Sequence, residues 1–274
     1  MGNYTLITGA TGGLGKAFAV ECASRGQNLI LTDLSKEKLG TLAKSLALKH
    51  SIDVKTISCD LMKVEEREKL FEELNSFKAE LYMTINVAGL DFEGGVETLN
   101  SKKISKVIRI NTEATLDITR FVSTIEHSGD FYIINVASMA GFYAMPLKAL
   151  YSASKRAIIQ FSLAVREEIR EKGGHILVLC PAGLRTTRKV RESIEAQGIM
   201  GKLTTVELGT VVYQTLNRAL MDKPKYVPGW INVLIVGFSS LAPETVKARY
   251  CYKRWKDAHR KKAGGKIPKP EKAL

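Results

Sequence analysis

The sequence predicts an α/β fold, a doubly wound parallel sheet with helices on both faces, in a single domain that ends in a basic tail. Three observations predict it. Short strand-like apolar runs alternate with longer helical patterns from Asn3 to Met221, the order that builds strand–helix–strand units with right-handed crossovers. The first strand passes straight into a glycine-rich turn and then a helix, the setting in which such a turn has chemical meaning. Polar or glycine-bearing residues also close several successive strands, at the sheet edge where open parallel sheets bind ligands.

Taken in order, Asn3 to Thr8 reads as a buried strand running into Thr8-Gly9-Ala10-Thr11-Gly12-Gly13-Leu14-Gly15, with a helix over Lys16 to Arg25. Glycines permit positive φ and let a backbone approach a phosphate, while the helix N-terminus offers free N–H groups. The next strand, Asn28 to Thr32, ends in Asp33. That spacing suits a carboxylate accepting hydrogen bonds from ribose hydroxyls, although Asp is also favoured as a helix N-cap, a place Ser35 can fill instead. Val54 to Ser58 is a strand followed by Cys59-Asp60-Leu61, Val64 to Phe77 a helix, and Leu81 to Val87 a strand ending in Asn86-Val87-Ala88-Gly89.

Ser101 to Ile125 reads as one long helix with Asn111 inside its apolar pattern, so the amide must find buried partners or face a site. A strand over Phe131 to Val136 leads to Ala137-Ser138-Met139-Ala140-Gly141. The next helix carries Tyr151 and Lys155 and stops at Gly173-Gly174; His175 to Leu179 is a strand ending in Cys180-Pro181-Ala182-Gly183. Leu184 to Leu203 is polar and basic, with the composition of a mobile lid. Thr204 and Glu207 have capping-box spacing for a helix reaching Met221. After a break at Tyr226-Val227-Pro228-Gly229 come an apolar run, Trp230 to Leu241, and a basic helix from Pro243 and Glu244; beyond Gly264-Gly265 disorder is expected. Residues 1–246 are read as the domain and 247–274 as its tail.

Tyr151 and Lys155, four residues apart, share a helix face. An ammonium beside a phenol favours the phenolate and draws its pKa from about 10 toward the range of a general acid or base. The net charge of +13 is concentrated: residues 247–274 hold eleven Lys/Arg against two Asp/Glu. The domain itself is only mildly basic, and Tyr252 and Trp255 are too few for a stacking platform, so no nucleic-acid partner is expected. The four cysteines are scattered, with no paired spacing, which argues against a disulfide framework or a metal site and suits a reducing, cytoplasmic setting. No signal peptide or run long enough to span a membrane is read.

With these motifs in order from Thr5 to Thr186, the chain resembles the short-chain dehydrogenase/reductase family, whose fold is Rossmann-like. The resemblance implies an oxidoreductase interconverting a secondary alcohol and a ketone with NAD or NADP. Thr8, Gly9, Gly13 and Gly15 match its dinucleotide turn, with Thr11, Gly12 and Leu14 inside it. Asp33 and Leu34, Asp60 and Leu61, Asn86, Ala88 and Gly89, and Pro181 and Thr186 match further cofactor positions; Val87 and Ala182 depart from the family pattern. The catalytic tetrad maps onto Asn111, Ser138, Tyr151 and Lys155, with Ser138 orienting the substrate, Tyr151 passing the proton, Lys155 stabilising the tyrosinate and holding the nicotinamide ribose, and Asn111 anchoring a water. The Asp33 carboxylate would accept the ribose 2′-hydroxyl and repel a 2′-phosphate, and Gly12 and Leu34 stand where NADP-using members commonly carry basic residues, so NAD is favoured over NADP, with Lys16, Lys36 and Lys38 the basic side chains that could in part compensate. Ser138, Phe142, Tyr143 and Tyr151 are the expected substrate contacts, with Leu90, Met139 and Met145 nearby, in an apolar pocket for a lipophilic, steroid-like or fatty-acyl-like compound. A homodimer or homotetramer is implied, and the apolar run with its basic helix has the composition of a weak peripheral membrane contact. The rival reading from a different class is a dinucleotide-sensing binding protein that acts through a partner.

Overall fold

The computed structural model describes residues 3–77, 80–184, 203–239 and 242–262, with the backbone alone for 254–262. Among these, seven strands form one sheet: β1 (Asn3–Thr8), β2 (Asn28–Asp33), β3 (Val54–Ser58), β4 (Glu80–Asn86), β5 (Phe131–Val136), β6 (Gly174–Leu179) and β7 (Lys225–Tyr226). The order is β3-β2-β1-β4-β5-β6-β7 and every neighbouring pair is parallel. The chain starts at the centre, winds outward to β3, then returns to β4 beside β1 and winds the other way. That reversal opens a crevice at the carboxyl ends of β1 and β4. The doubly wound sheet is therefore as the sequence predicts, with one addition: β7, beside the expected break at Tyr226–Gly229, is a two-residue edge strand.

Period-two alternation buries both faces of the central strands. Ile7, Leu29, Leu31 and Ile85 face one layer, packed by α1 (Gly13–Ser24), α2 (Lys36–His50) and α7 (Leu208–Leu220) through Phe18, Leu39 and Val211. Leu6, Ile30, Ile57 and Ile133 face the other, packed by α3 (Val64–Ser76) and α5 (Ala114–Thr124) through Leu70, Ile118 and Phe121. Arg67 of α3 is buried and ties the layer together, pairing with Glu113 at 2.5 Å and Asp117 at 2.9 Å while donating to the Leu61 carbonyl at 2.7 Å.

The long helix expected over Ser101 to Ile125 is divided. α4 (Ser101–Ile108) and α5 are joined by a π turn over Arg109–Glu113, with Asn111 at its middle. The Asn111 side chain is fully buried and holds Leu90 on both sides, accepting from its N–H at 2.6 Å and donating to its carbonyl at 2.9 Å. A widened turn accommodates such an inward polar group. The helix predicted from Thr204 also starts later. Val206 pairs as an isolated bridge with Leu184, so the chain is extended there and α7 begins after Glu207, which makes no side-chain cap. The Tyr151 helix, α6, spans Ala149–Ile169. The apolar run becomes α8 (Trp230–Ser239), and α9 (Glu244–Lys262) contains the expected domain boundary within it.

A polar seam crosses the middle of the sheet. Asn86 and Asn135 are register partners on β4 and β5; Asn86 donates to Asn135 at 2.9 Å, and Asn135 donates to Ser162 Oγ of α6 at 2.9 Å. Removing one member strands the other buried groups. Asn135→Ala is expected to lower the free energy of unfolding by about 2 kcal/mol in a urea titration, with the far-ultraviolet spectrum unchanged.

Candidate active site

The carboxyl end of β1 is locked to that of β4 by Thr8, whose Oγ1 accepts from the N–H groups of Val87 at 3.0 Å and Ala88 at 3.2 Å. This brings the glycine turn against Ala88. A side chain at Gly9 would place Cβ 3.0 Å from the Ala88 backbone, and one at Gly15 would place it 2.1 Å from the Gly9 carbonyl oxygen. Gly9 also has φ +62°, so both positions require glycine. No side chain caps α1, whose first turn of Gly13, Leu14 and Gly15 lies on the wall of a large cavity together with Gly12 and Thr11. An uncapped helix N-terminus beside a backbone cradle suits a pyrophosphate. The cavity, about 1450 Å³, exceeds what one drug-sized ligand needs.

Further along this wall, Asp33 accepts from Thr11 N at 2.9 Å, Thr11 Oγ1 at 2.7 Å and Leu34 N at 2.7 Å. It is not the cap of α2; Ser35 is, accepting from Lys38 N. Asp60 and Leu61 line the same end, as do Leu34 and Lys38, while Ala88, Gly89 and Pro181 line the middle. Asn86 does not reach the cavity: its amide is turned into the polar seam between the central strands. Thr186 lies outside the described residues.

Ser138, Tyr151 and Lys155 meet on the cavity wall, brought there by the ends of β5 and the start of α6. Lys155 is buried; its Nζ donates to the Val136 carbonyl at 2.9 Å and lies 6.0 Å from the Tyr151 ring centre. Burial pushes the lysine down to about 8. The expectation that the lysine draws the phenol downward is reversed here. Burial pushes Tyr151 up to about 12, Asp91 adds to the rise, and the Ser138 hydroxyl pulls only partly against it. A half-buried phenol in a poorly hydrated wall holds its proton, and desolvation outweighs the distant ammonium. Asn111 stands behind the wall rather than on it, bonded to Leu90 and, at 3.1 Å, to Ser154 Oγ.

Of the expected substrate contacts, Tyr143 lines the cavity with Leu90, Met139 and Met145. Phe142 does not. It packs against the cluster of Ala137, Ile158 and Val178, under the Lys225 ammonium at 5.2 Å. Sequence reasoning missed Lys148, which pairs with Asp91 at 2.6 Å and Glu93 at 3.6 Å and lies 5.6 Å from the Tyr151 ring centre. Gly94 N donates to the Leu147 carbonyl at 2.7 Å beside it, so the segments before α6 and after β4 are clasped together across the site. Leu147 takes φ +65°, a left-handed conformation unusual for a leucine. The lysine at position 148 precedes Tyr151 by three, the spacing of helix neighbours, and that was the available signal.

Residues 3–197 match the family model described as short chain dehydrogenase. The chain belongs to that family. It is an oxidoreductase by that membership. It is 29% identical over 257 residues to the very-long-chain 3-oxoacyl-CoA reductase-B of Danio rerio, covering 91% of this chain and 79% of that protein. A short-chain dehydrogenase from Sphingobium yanoikuyae in complex with NADPH shares the fold at TM-score 0.72 and 24% identity, covering 88% of this chain and 97% of that one. One from Burkholderia phymatum in complex with NAD does so at TM-score 0.75 and 20% identity, covering 87% and 93%. Among the described residues no group of three or more His, Cys, Asp or Glu is placed to hold a metal ion.

The buried lysine of this short-chain dehydrogenase carries a stability consequence. Its folded pKa, about 8, lies below the ordinary 10.5. Between those values the unfolded chain binds more protons, so this group adds stability as pH rises from about 8 toward 10.5 and opposes folding below 8. Lys155→Met is accordingly expected to raise stability by about 1–2 kcal/mol at pH 7, with that gain shrinking by pH 10, when denaturant midpoints are compared.

Proposed function

We propose that this chain reduces the ketone of a lipophilic 3-oxoacyl thioester to the secondary alcohol, with NAD(H) as its cofactor. The observation that carries this reading is the meeting of Ser138, Tyr151 and Lys155 on one wall of a cavity whose far end is the glycine turn. The turn fits a dinucleotide, because the space at Gly9 and Gly15 is closed to any side chain and the α1 N–H groups lack a cap. Gly9 to Gly15 would hold the pyrophosphate, Asp33 the adenosine ribose, and Asp60 with Leu61 the adenine. When bound, the nicotinamide supplies the hydride.

Tyr151 keeps its phenolic proton across the physiological range, which makes it the acid for a carbonyl oxygen that gains negative charge. Ser138 donates a hydrogen bond to that same oxygen and fixes the carbonyl against the tyrosine. Lys155, when charged, stabilises the tyrosinate left behind. The acyl reading rests on the apolar side chains at the reacting end, Leu90, Met139, Tyr143 and Met145, and on the likeness to very-long-chain 3-oxoacyl-CoA reductases. In a series of 3-oxoacyl thioesters, kcat/KM is expected to rise roughly threefold for each methylene that enters the cavity. Tyr151→Phe should lower turnover at least about a hundredfold while leaving NADH binding, read by fluorescence titration, within about twofold. Flat dependence on chain length would reject the acyl substrate; a Tyr151→Phe variant keeping a tenth of its rate would reject the acid.

The preference for NAD follows from Asp33, whose carboxylate is fixed by Thr11 and Leu34 at the ribose end, where a 2′-phosphate would meet like charge. Lys38 on the same wall opposes this only in part, being one cation on a flexible stem. The ratio of kcat/KM for NADH over NADPH is expected to exceed about ten, since about 1.4 kcal/mol of repulsion suffices. Asp33→Ala should reduce that ratio at least about tenfold, and an unchanged ratio would remove Asp33 from cofactor choice.

A further inference from the structure

We propose that α8 and α9 form a docking surface for an anionic membrane leaflet, placed at one end of the cavity. α8 contributes Ile235 and Ser239 to the cavity wall, and α9 continues it with Lys247, Tyr250 and Cys251. The outer side of α8 is apolar, and the start of α9 adds to it. Trp230 is 74% exposed and Phe238 72%, with Val233 and Leu234 about half exposed between them and Val246 on α9 at 54%. The residue of α8 that is buried is Asn232, whose Nδ2 donates to the Thr204 carbonyl at 2.9 Å and the Pro228 carbonyl at 2.6 Å. α8 is thus anchored by its amide and turns Trp230, Val233, Leu234 and Phe238 outward, the reverse of a helix that covers a core. A contiguous apolar patch of this kind marks an interaction surface.

Charge identifies the occupant. Arg249 and Lys253 are exposed on α9, and the sequence of 254–262 adds five Lys or Arg and one acid, Asp257, to a helix whose other acid is Glu244 at its start. A second copy of this chain docking through the patch would bring two such cationic helices together. An anionic lipid surface neutralises them, while Trp230 and Phe238 enter the boundary between headgroups and acyl chains. Each basic residue near such a surface strengthens partitioning by roughly fivefold. No described helix is long and apolar enough to cross a membrane, so the contact is interfacial. The surface stands or falls independently of the substrate, although it would present a lipid-borne compound directly to the cavity.

The test is co-sedimentation of the full chain with vesicles of phosphatidylcholine alone and of phosphatidylcholine with about 30% phosphatidylserine, the anionic fraction giving the surface its negative potential. Binding is expected to the anionic vesicles, at least tenfold weaker to the neutral ones, and weakened by 0.5 M salt. W230S/F238S and, separately, R249Q/K253Q should each lower binding to anionic vesicles about tenfold or more, with NADH binding unchanged in both. The pair of variants keeps the test decisive if one fails to fold. Negligible sedimentation with both compositions, or binding that neither variant alters, would overturn the proposal. So would light scattering that shows a dimer dissolved by W230S/F238S in a chain that binds no vesicles, because the patch would then cover a second copy. Vesicle binding is measured without substrate, so its failure leaves the acyl reading intact.

Discussion

The structure depends most on the place found for one buried ammonium. Lys155 leaves water to lie against the Val136 carbonyl, and its surroundings are shaped to admit it. A side chain at Gly89 would come within 3.1 Å of Asn111 Oδ1 and touch Nζ at 3.4 Å, so the end of β4 is tight there and a bare backbone fits it best. At Gly141 a Cβ would press to 3.0 Å on the backbone of Lys155 and Arg156, so the turn after β5 must be bare as well. The Gly89 exit thus borders the lysine side chain, and the Gly141 turn lies against the backbone of α6 that carries it. Burial without full neutralisation disfavours folding, and ionisable groups held in that way cluster at functional sites.

The sheet order turns these local demands into one site. Because β4 lies beside β1, the strand exits that carry the glycine turn, Ala88–Gly89, Ser138 and Pro181 open on the same side of the molecule. Thr8 and Asn111 hold the β4 exit from opposite sides, through Val87 and Ala88 in one case and Leu90 in the other. A short stretch of irregular backbone is thereby fixed without any regular pairing of its own. The Lys148 clasp repeats this device beside Tyr151, tying Asp91, Glu93 and Gly94 to the start of α6.

Much of this was legible in the sequence, and what was not follows a physical pattern. Strand and helix alternation, the glycine turn and the Tyr151–Lys155 spacing are local signals; β1 to β6 and α6 stand within a few residues of where those signals put them, while α1 starts three residues early, inside the glycine turn, and β7 carries no signal of its own. Ser35 against Asp33 was an open choice between two capping side chains, decided by Thr11 reaching Asp33 from another strand exit. Phe142 was misplaced because an aromatic following a motif has no periodicity to say which way it faces, and the cluster of Ile158 and Val178 claimed it. Asn86 was read from its neighbours in the motif, while its side chain answered to Asn135 across the sheet. The direction of the Tyr151 shift was missed for the same reason: helix spacing gives a distance to the lysine but no measure of the water excluded around the phenol.

The π turn at Arg109–Glu113 works as a skipped thread on a screw. An α-helix turns by about 100° per residue, so the inserted step lets the chain stay helical from α4 into α5 while their stripes stay out of phase. α5 can then pack Ile118 and Phe121 on the sheet and α4 can follow a different orientation, with Asn111 at the slip between them. Length here is therefore a site parameter in its own right. Deleting one residue from the turn without changing any named side chain would restore a regular thread, rotate one helix against the other, and carry the amide off Leu90.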